Sequence, residues 1–414
     1  MKNFSRLSKA IAISWLGMLA TTNAYSAEVG SSWQRHTIDS SSQGADGVRL
    51  ADLNSDGLLD IVTPWEEGGK IRTYINPGHR FVRQLWMFVT IGEVASGEDA
   101  VFTDIDGDQF LDVVSASEGN VKTLWIHWNP GENPYSSFSF LWKTEPIPAS
   151  IDKQQWMYAL PMQVDGKHGI DLVAAGKNEN AQIGWFEIPE NPRNLEGWRW
   201  HSLYEAGWIM SLESVDLDGD GDLDIVVSDR KGDNRGCFWL ENPGTEGVKS
   251  PWSLHRIGGS DREMMFLDIA DLNADGLPDI IAATHSNELL YYQQVDTNPI
   301  SWEVSSIALP ENAGTGKSVA IGDIDLNGSL DIVVSTANAE DRLGVFWLSS
   351  TKSGTTWQVH NISGLEGSKF DLVKLIDLDG DGDLDVLTCE EGENLGVVWY
   401  ENPTKNLPKP ESET

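Results

Sequence analysis

The nine-residue phrase Asp52-Leu-Asn54-Ser-Asp56-Gly57-Leu-Leu-Asp60 sets oxygen-bearing side chains at alternate positions of a tight turn. A hard cation such as Ca²⁺ takes roughly six to eight oxygens, and glycine at the sixth position supplies the left-handed backbone the turn needs. The phrase returns at Asp104, Asp216, Asp271, Asp323 and Asp377, which predicts up to six structural Ca²⁺ sites. Their ligands would be Asp52, Asn54, Asp56, Asp60; Asp104, Asp106, Asp108, Asp112; and Asp216, Asp218, Asp220, Asp224. The remaining sets are Asp271, Asn273, Asp275, Asp279; Asp323, Asp325, Asn327, Asp331; and Asp377, Asp379, Asp381, Asp385. These are not EF-hands, because the twelfth residue is Thr63, Ser115, Val227, Ala282, Val334 or Thr388 rather than glutamate. The second loop departs from the pattern with Gln109 in the glycine position. A worn copy runs from Gln163 to Asp171, where the Lys167 ammonium is expected to exclude a metal. Asx turns capped by their own side chains are the simpler alternative, and recurrence at a fixed offset favours metal.

The elements that must hold these loops repeat with them. Successive loop starts lie 52 to 59 residues apart, a period that suits four strands with generous connections. An apolar, β-branched run follows each loop, as in Asp224-Ile-Val-Val, and then an aromatic run ending in a turn, as in Trp239-Leu-Glu-Asn-Pro243. A Trp-x-x-His-x-Ile phrase closes the unit at Trp33, Trp252 and Trp357, so His36, His201, His255 and His360 are packing or hydrogen-bonding elements. Near-continuous apolarity points to sheets buried on both faces. The chain opens on a Trp-x-x-His strand and closes on the aromatic strand at Trp399 without one of its own. The first strand therefore completes the last sheet, giving an all-β, seven-bladed propeller over residues 27–403, with residues 404–414 as a polar tail.

Composition narrows the partners. Acidic residues number 64 against 29 basic, a formal charge of -35, which disfavours nucleic acid and anionic membranes. Hydrophobic residues at 40% and 18 Trp argue for a packed chain. Residues 1–26 read as a signal peptide, with basic Lys2, Arg6 and Lys9 before a short apolar stretch and cleavage near residues 24–26. No cysteine lies near the cleavage region and no other run approaches a membrane span, so a secreted or periplasmic monomer is expected. Cys237 and Cys389 fall in distant blades and are expected to be free.

On its acidic loops and repeats, from Trp33 to Pro403, the sequence resembles the FG-GAP/VCBS family of calcium-loop propellers that includes the head of integrin α-chains. The resemblance implies the fold and the metal. Its members serve as adhesion modules, scaffolds and parts of carbohydrate-active proteins, so function must be read from the site.

That site is expected at the face opposite the loops, where segments differ from blade to blade. Segments entering the first strands hold Asp46, Arg49, Glu98, Asp99, Trp156, Trp208, Arg262, Glu263, Lys317, Lys369 and Asp371. Those leaving the second strands hold Glu66, Arg230, Lys231 and His285. Charges of both signs and Trp faces converging on a propeller mouth predict a glycan or other anionic ligand, with the cations pairing uronate or sulfate groups. The alternative is a sugar lyase or dehydratase, with His285 or a ring carboxylate as base and Lys317 stabilising an enolate. A protein partner on the same face is the third reading. Nucleophile elbows, His-Glu-x-x-His and phosphate loops are absent from the sequence.

Overall fold

The computed structural model describes residues 31–131, 141–350 and 357–406, so the expected signal peptide and most of the tail lie outside the described residues. Within them, seven four-stranded antiparallel sheets form the seven blades of a propeller. Blade one contains Arg49–Ala51, Asp60–Trp65, Lys70–Tyr74 and Phe88–Gly92 in that order from the axis outwards, and the other six repeat the plan. Each acidic loop joins the first and second strands of its blade, so all seven loops open on one face.

The β-branched run after each loop becomes the second strand, and its place inside the blade explains its composition. Every residue of Asp60–Trp65, Asp112–Ser117, Asp224–Asp229 and Asp385–Glu390 is buried, because neighbouring blades cover both faces of the sheet. The Trp-x-x-His phrase forms the outermost strand, and its histidine stacks on the tryptophan of the third strand. Ring centroids lie 4.4 Å apart for His36 and Trp399, 4.2 Å for His255 and Trp239, and 4.0 Å for His360 and Trp347. Both cysteines are free and buried. No helix among the described residues is long and apolar enough to cross a membrane.

The ring closes as the order of phrases predicts. Gln34–Asp39 pairs antiparallel with Gly396–Glu401, placing Gln34 opposite Glu401 and His36 opposite Trp399. Asp39, at the end of that strand, then reaches into blade one. Its carboxylate accepts hydrogen bonds from the Arg72 guanidinium at 2.6 Å and the Tyr74 hydroxyl at 3.0 Å, all three groups being buried. A second clasp forms on the loop face, where Arg83 of blade one pairs with Asp379 and Glu401 of blade seven.

Removing one partner of a buried ion pair strands the other, at a cost of about 3–5 kcal/mol. Asp39→Ala should therefore lower the unfolding free energy by about that amount, measured by urea denaturation. A loss below about 1 kcal/mol would mean that the clasp does not hold the seam.

Candidate metal loops and the opposite mouth

Loop geometry follows from side chains capping their own backbone. Asp52 accepts the N–H groups of Asp56 at 3.0 Å and Gly57 at 2.9 Å. The second loop keeps this turn without glycine: Gln109 adopts a φ of 75° and donates its N–H to Asp104 at 3.0 Å. The ninth residue does something different. Asp60 is fully buried and accepts the N–H groups of Leu53 at 2.9 Å and Asn76 at 2.7 Å, tying the loop to the turn after the third strand. Asp224 and Asp385 repeat both bonds.

The donor set fits a hard cation. Carboxylate oxygens of Asp104, Asp106 and Asp108 lie within 4.8 Å of one another, as do those of Asp216, Asp218 and Asp224, and of Asp323, Asp325 and Asp331. Asp104 Oδ1 and Asp112 Oδ2 are buried with no hydrogen-bond partner among the described residues, at the edge of the second loop. Two loops already hold an internal cation at their third position: Arg193 bonds Asp106 at 2.6 Å, and Arg83 pairs with Asp379. In the worn loop of blade three the Lys167 ammonium sits 2.9 Å from Asp165 and takes the place expected for a metal elsewhere.

Across the ring, the sixth residue before each loop forms a circle at the axis: Asp46, Glu98, Met157, Met210, Met265, Lys317 and Asp371. In blades two to six the pairing of first and second strands carries one extra residue at this level. Such bulges re-aim a side chain, here towards a cavity of about 20 Å³ that six of these residues line, Phe266 standing in for Met265 in blade five. The ring is divided. Blades six, seven, one and two supply charge, and blades three to five supply methionine and Phe266.

Lys317 lies 2.7 Å from Asp371. Burial, followed by the charges of Asp371, Glu98 and Glu391, pushes the Asp46 carboxyl well above the ordinary carboxylate range. Burial also opposes ionisation of Asp371, but Lys317, a hydrogen bond from Asp46 and Lys369 together hold its carboxyl low. Of the pair, Asp46 is the member whose surroundings favour the proton and Asp371 the one whose surroundings favour the charge. Around them Lys369 pairs with Glu391, Lys177 with Glu98 and Glu118, and Arg230 with Glu263.

Glu66, Glu263, Arg230, Lys231, Lys369 and His285 sit on the surrounding rim. Burial, then the charge of Arg230, lowers the His285 pKa, and its Nδ1 is buried with no hydrogen-bond partner among the described residues. Four expected residues are placed otherwise. Trp156 is fully buried, donates to Ser150 O at 3.1 Å and packs edge-on against Trp200, so it is core and Met157 takes its place at the axis. Arg49 lies deeper in the channel, paired at 3.1 Å with Asp99, which lines the small cavity at the mouth as expected. Arg262 turns outward to Glu288 and Asp261. Trp208 is at the rim, but Lys177, Lys231 and Arg230 lie 4.6, 4.4 and 4.9 Å from its ring centre, so cations already cover the indole. The methionine arc was missed, although a Met in three consecutive blades at one offset from the loop is visible in the sequence.

Fold and loops define a seven-bladed β-propeller with acidic loops on one face. More particularly, it carries FG-GAP-like repeats, matched over residues 163–227 and 271–334. No curated protein matches the chain. Among solved structures, BBS1N in complex with ARL6DN, from a crystal soaked with lead, is similar with a TM-score of 0.53 and 11% identity, over 90% of this chain and 98% of that one. The mercury-soaked crystal of that complex gives 0.50 and 12%, over 90% and 97%. An Agrocybe aegerita lectin described as recognising non-reducing terminal N-acetylglucosamine gives 0.47 and 14%, over 78% and 81%. At these identities the likeness describes the fold.

Burial raises the pKa of the ninth-position carboxyls, to about 6 in Asp60 and Asp224, about 7 in Asp331 and Asp385, and about 8 in Asp112. Groups raised in the folded state favour folding at low pH, and that contribution is lost as pH rises through their folded values. Metal-free protein should therefore lose thermal stability between about pH 4 and pH 8, and Ca²⁺ should restore most at the upper end. Thermal unfolding of dialysed protein across this range, with and without Ca²⁺, checks the sign; stability that rises with pH in metal-free protein would contradict it.

Proposed function

We propose that this protein is a secreted, calcium-stiffened propeller that binds a neutral carbohydrate at the mouth opposite its acidic loops. Calcium would neutralise the clustered loop carboxylates and hold the turns closed. The observation that carries the ligand reading is the division of the mouth. Asp46, Glu66, Glu98, Glu118, Asp371 and Glu391 form an acidic arc on blades seven, one and two, facing Met157, Met210 and Phe266 on blades three to five. Carboxylates accept hydrogen bonds from vicinal hydroxyls, and the opposite arc suits the C–H face of a sugar. A neutral ligand is preferred to the anionic one expected from the sequence because Lys177, Lys317, Lys369 and Arg230 are paired with carboxylates, while a paired carboxylate keeps lone pairs for a sugar hydroxyl. The small central cavity means that a sugar would rest on this ring and rim.

A second reading, a sugar lyase or dehydratase, is favoured by the proton-sharing pair Asp46 and Asp371 beside Lys317. Asp371 would take a proton next to a substrate carbonyl or carboxylate, and the protonated Asp46 would deliver one to the departing oxygen. In that reading the base is a ring carboxylate, and His285→Ala should leave turnover intact.

Calorimetric titration with neutral and uronate oligosaccharides, in Ca²⁺, tests the choice. Neutral sugars should bind, and Asp46→Asn or Glu98→Gln should weaken them by about tenfold, near 1.4 kcal/mol. Preference for uronates would reverse the ligand assignment, and release of an unsaturated product would move the protein to the second reading.

A further inference from the structure

A second axial space lies below the mouth. Its volume is about 170 Å³, and Tyr158, Ser211, Glu213, Asp268, Ser318 and Lys374 give it a polar lining. Register explains the charges. The third residue before each loop faces the axis, and at this level blades one and seven supply Arg49 and Lys374 while blades four and five supply Glu213 and Asp268. The remaining three blades place apolar residues there. Of these four, Lys374 lines the cavity from one side and Glu213 and Asp268 from the other, with Arg49 outside the lining.

Most of these groups have partners. Arg49 is paired with Asp99 and lies 4.3 Å from the Tyr158 ring centre. Asp268 accepts the N–H groups of Ile269 at 2.9 Å and Ile321 at 2.8 Å, and Glu213 accepts the Tyr158 hydroxyl at 3.5 Å. Lys374 differs, having no ion pair among the described residues. Burial, and then the charge of Arg49, lowers its pKa. The charges of Glu213 and Asp268 act on it in the opposite sense, so the lining sets one donor against two acceptors across the cavity.

We propose that this cavity binds a small zwitterion of amino-acid size, its carboxylate on Lys374 and its ammonium between Glu213 and Asp268. The two charges of such a ligand match the two walls, and Ser211 and Ser318 add hydroxyls beside them. The volume admits several waters or one small molecule and is below the roughly 300 Å³ at which common ligand pockets begin, so a sugar ring with its substituents is a poor fit. Access is from the loop face. Met157, Met210, Met265 and Asp371 above the cavity are buried, whereas Ala51, Ala270 and Ile376 between it and the loops are partly exposed. The site is thus separate from the carbohydrate reading of the mouth, and either can fail alone.

The test is calorimetry on the full chain with glycine, L-alanine and L-serine, against acetate and methylamine as single-charge probes. The amino acids should bind at least about tenfold more tightly than either probe. Lys374→Met and Glu213→Gln should each weaken alanine by about tenfold or more, with circular dichroism confirming that the variants are folded. Two substitutions on opposite walls keep the test valid if one fails to fold. Absence of amino-acid binding up to about 10 mM, equal binding of methylamine, or unchanged affinity in both variants would overturn the assignment.

Discussion

A buried carboxylate at the ninth position of each loop is the contact on which the blades depend. In blade one its two oxygens take one N–H from the loop and one from the turn after the third strand, so a single side chain fixes three segments. The asparagine of that turn answers with its own amide: Asn76 donates to Leu59 O and Asn402 to Leu384 O. Blade three, whose loop has Gln163 and Lys167 at the first and fifth positions, retains Asp171 with bonds to Val164 and Ile188. Keeping the ninth carboxylate where an ammonium replaces the fifth-position oxygen separates two duties that the other loops combine. The backbone anchor recurs in every blade, through both oxygens in blades one, three, four, five and seven and through one oxygen in blades two and six, while oxygen ligands are needed only where a cation is to sit.

With the strands anchored at the loop end, the axis can vary. Inner strands run from mouth to loop, so positions six and three before the loop form successive circles around the same channel. One circle carries the divided ring of acids and methionines, and the deeper one carries opposed charges. Residues of the deeper circle pair with the second strand through their backbones alone, as Arg49 does with Val62 and Lys374 with Leu387, which leaves the side chains free to differ between repeats.

What the sequence made legible is what repetition enforces. Loops, blade number and the displaced closing strand all follow from phrases that recur. The worn loop was also readable, because an ammonium at Lys167 belongs where oxygen is expected. The mouth was only partly readable, for two physical reasons. Bulges in the inner strands advance the axial position by one residue, which moved the assignment from Met157 to Trp156. Charge pairing across the ring joins residues of different blades, as in Lys317 with Asp371, and no local pattern announces such partners. Cations that look available to a ligand in the sequence are therefore consumed by the fold. Gln109 shows the converse, a residue without glycine's freedom held in a left-handed turn by the capping bond to Asp104.

The closing strand also imposes an order on events. Gln34–Asp39 is synthesised before any blade exists, yet its partner, Gly396–Glu401, is among the last described segments to be made. Until that partner emerges, the first strand has nowhere to pair and blade one lacks the Asp39 carboxylate for its buried Arg72. Such long-range pairing must meet its chain-closure entropy before it gains contacts, which makes it a slow step. Six blades can assemble against their neighbours as they appear, but the ring becomes a ring only when both ends are present. A chain shortened at either of these strands would keep its local sheets and present an unpaired strand edge to other copies, so the state most exposed to aggregation is the nearly finished protein.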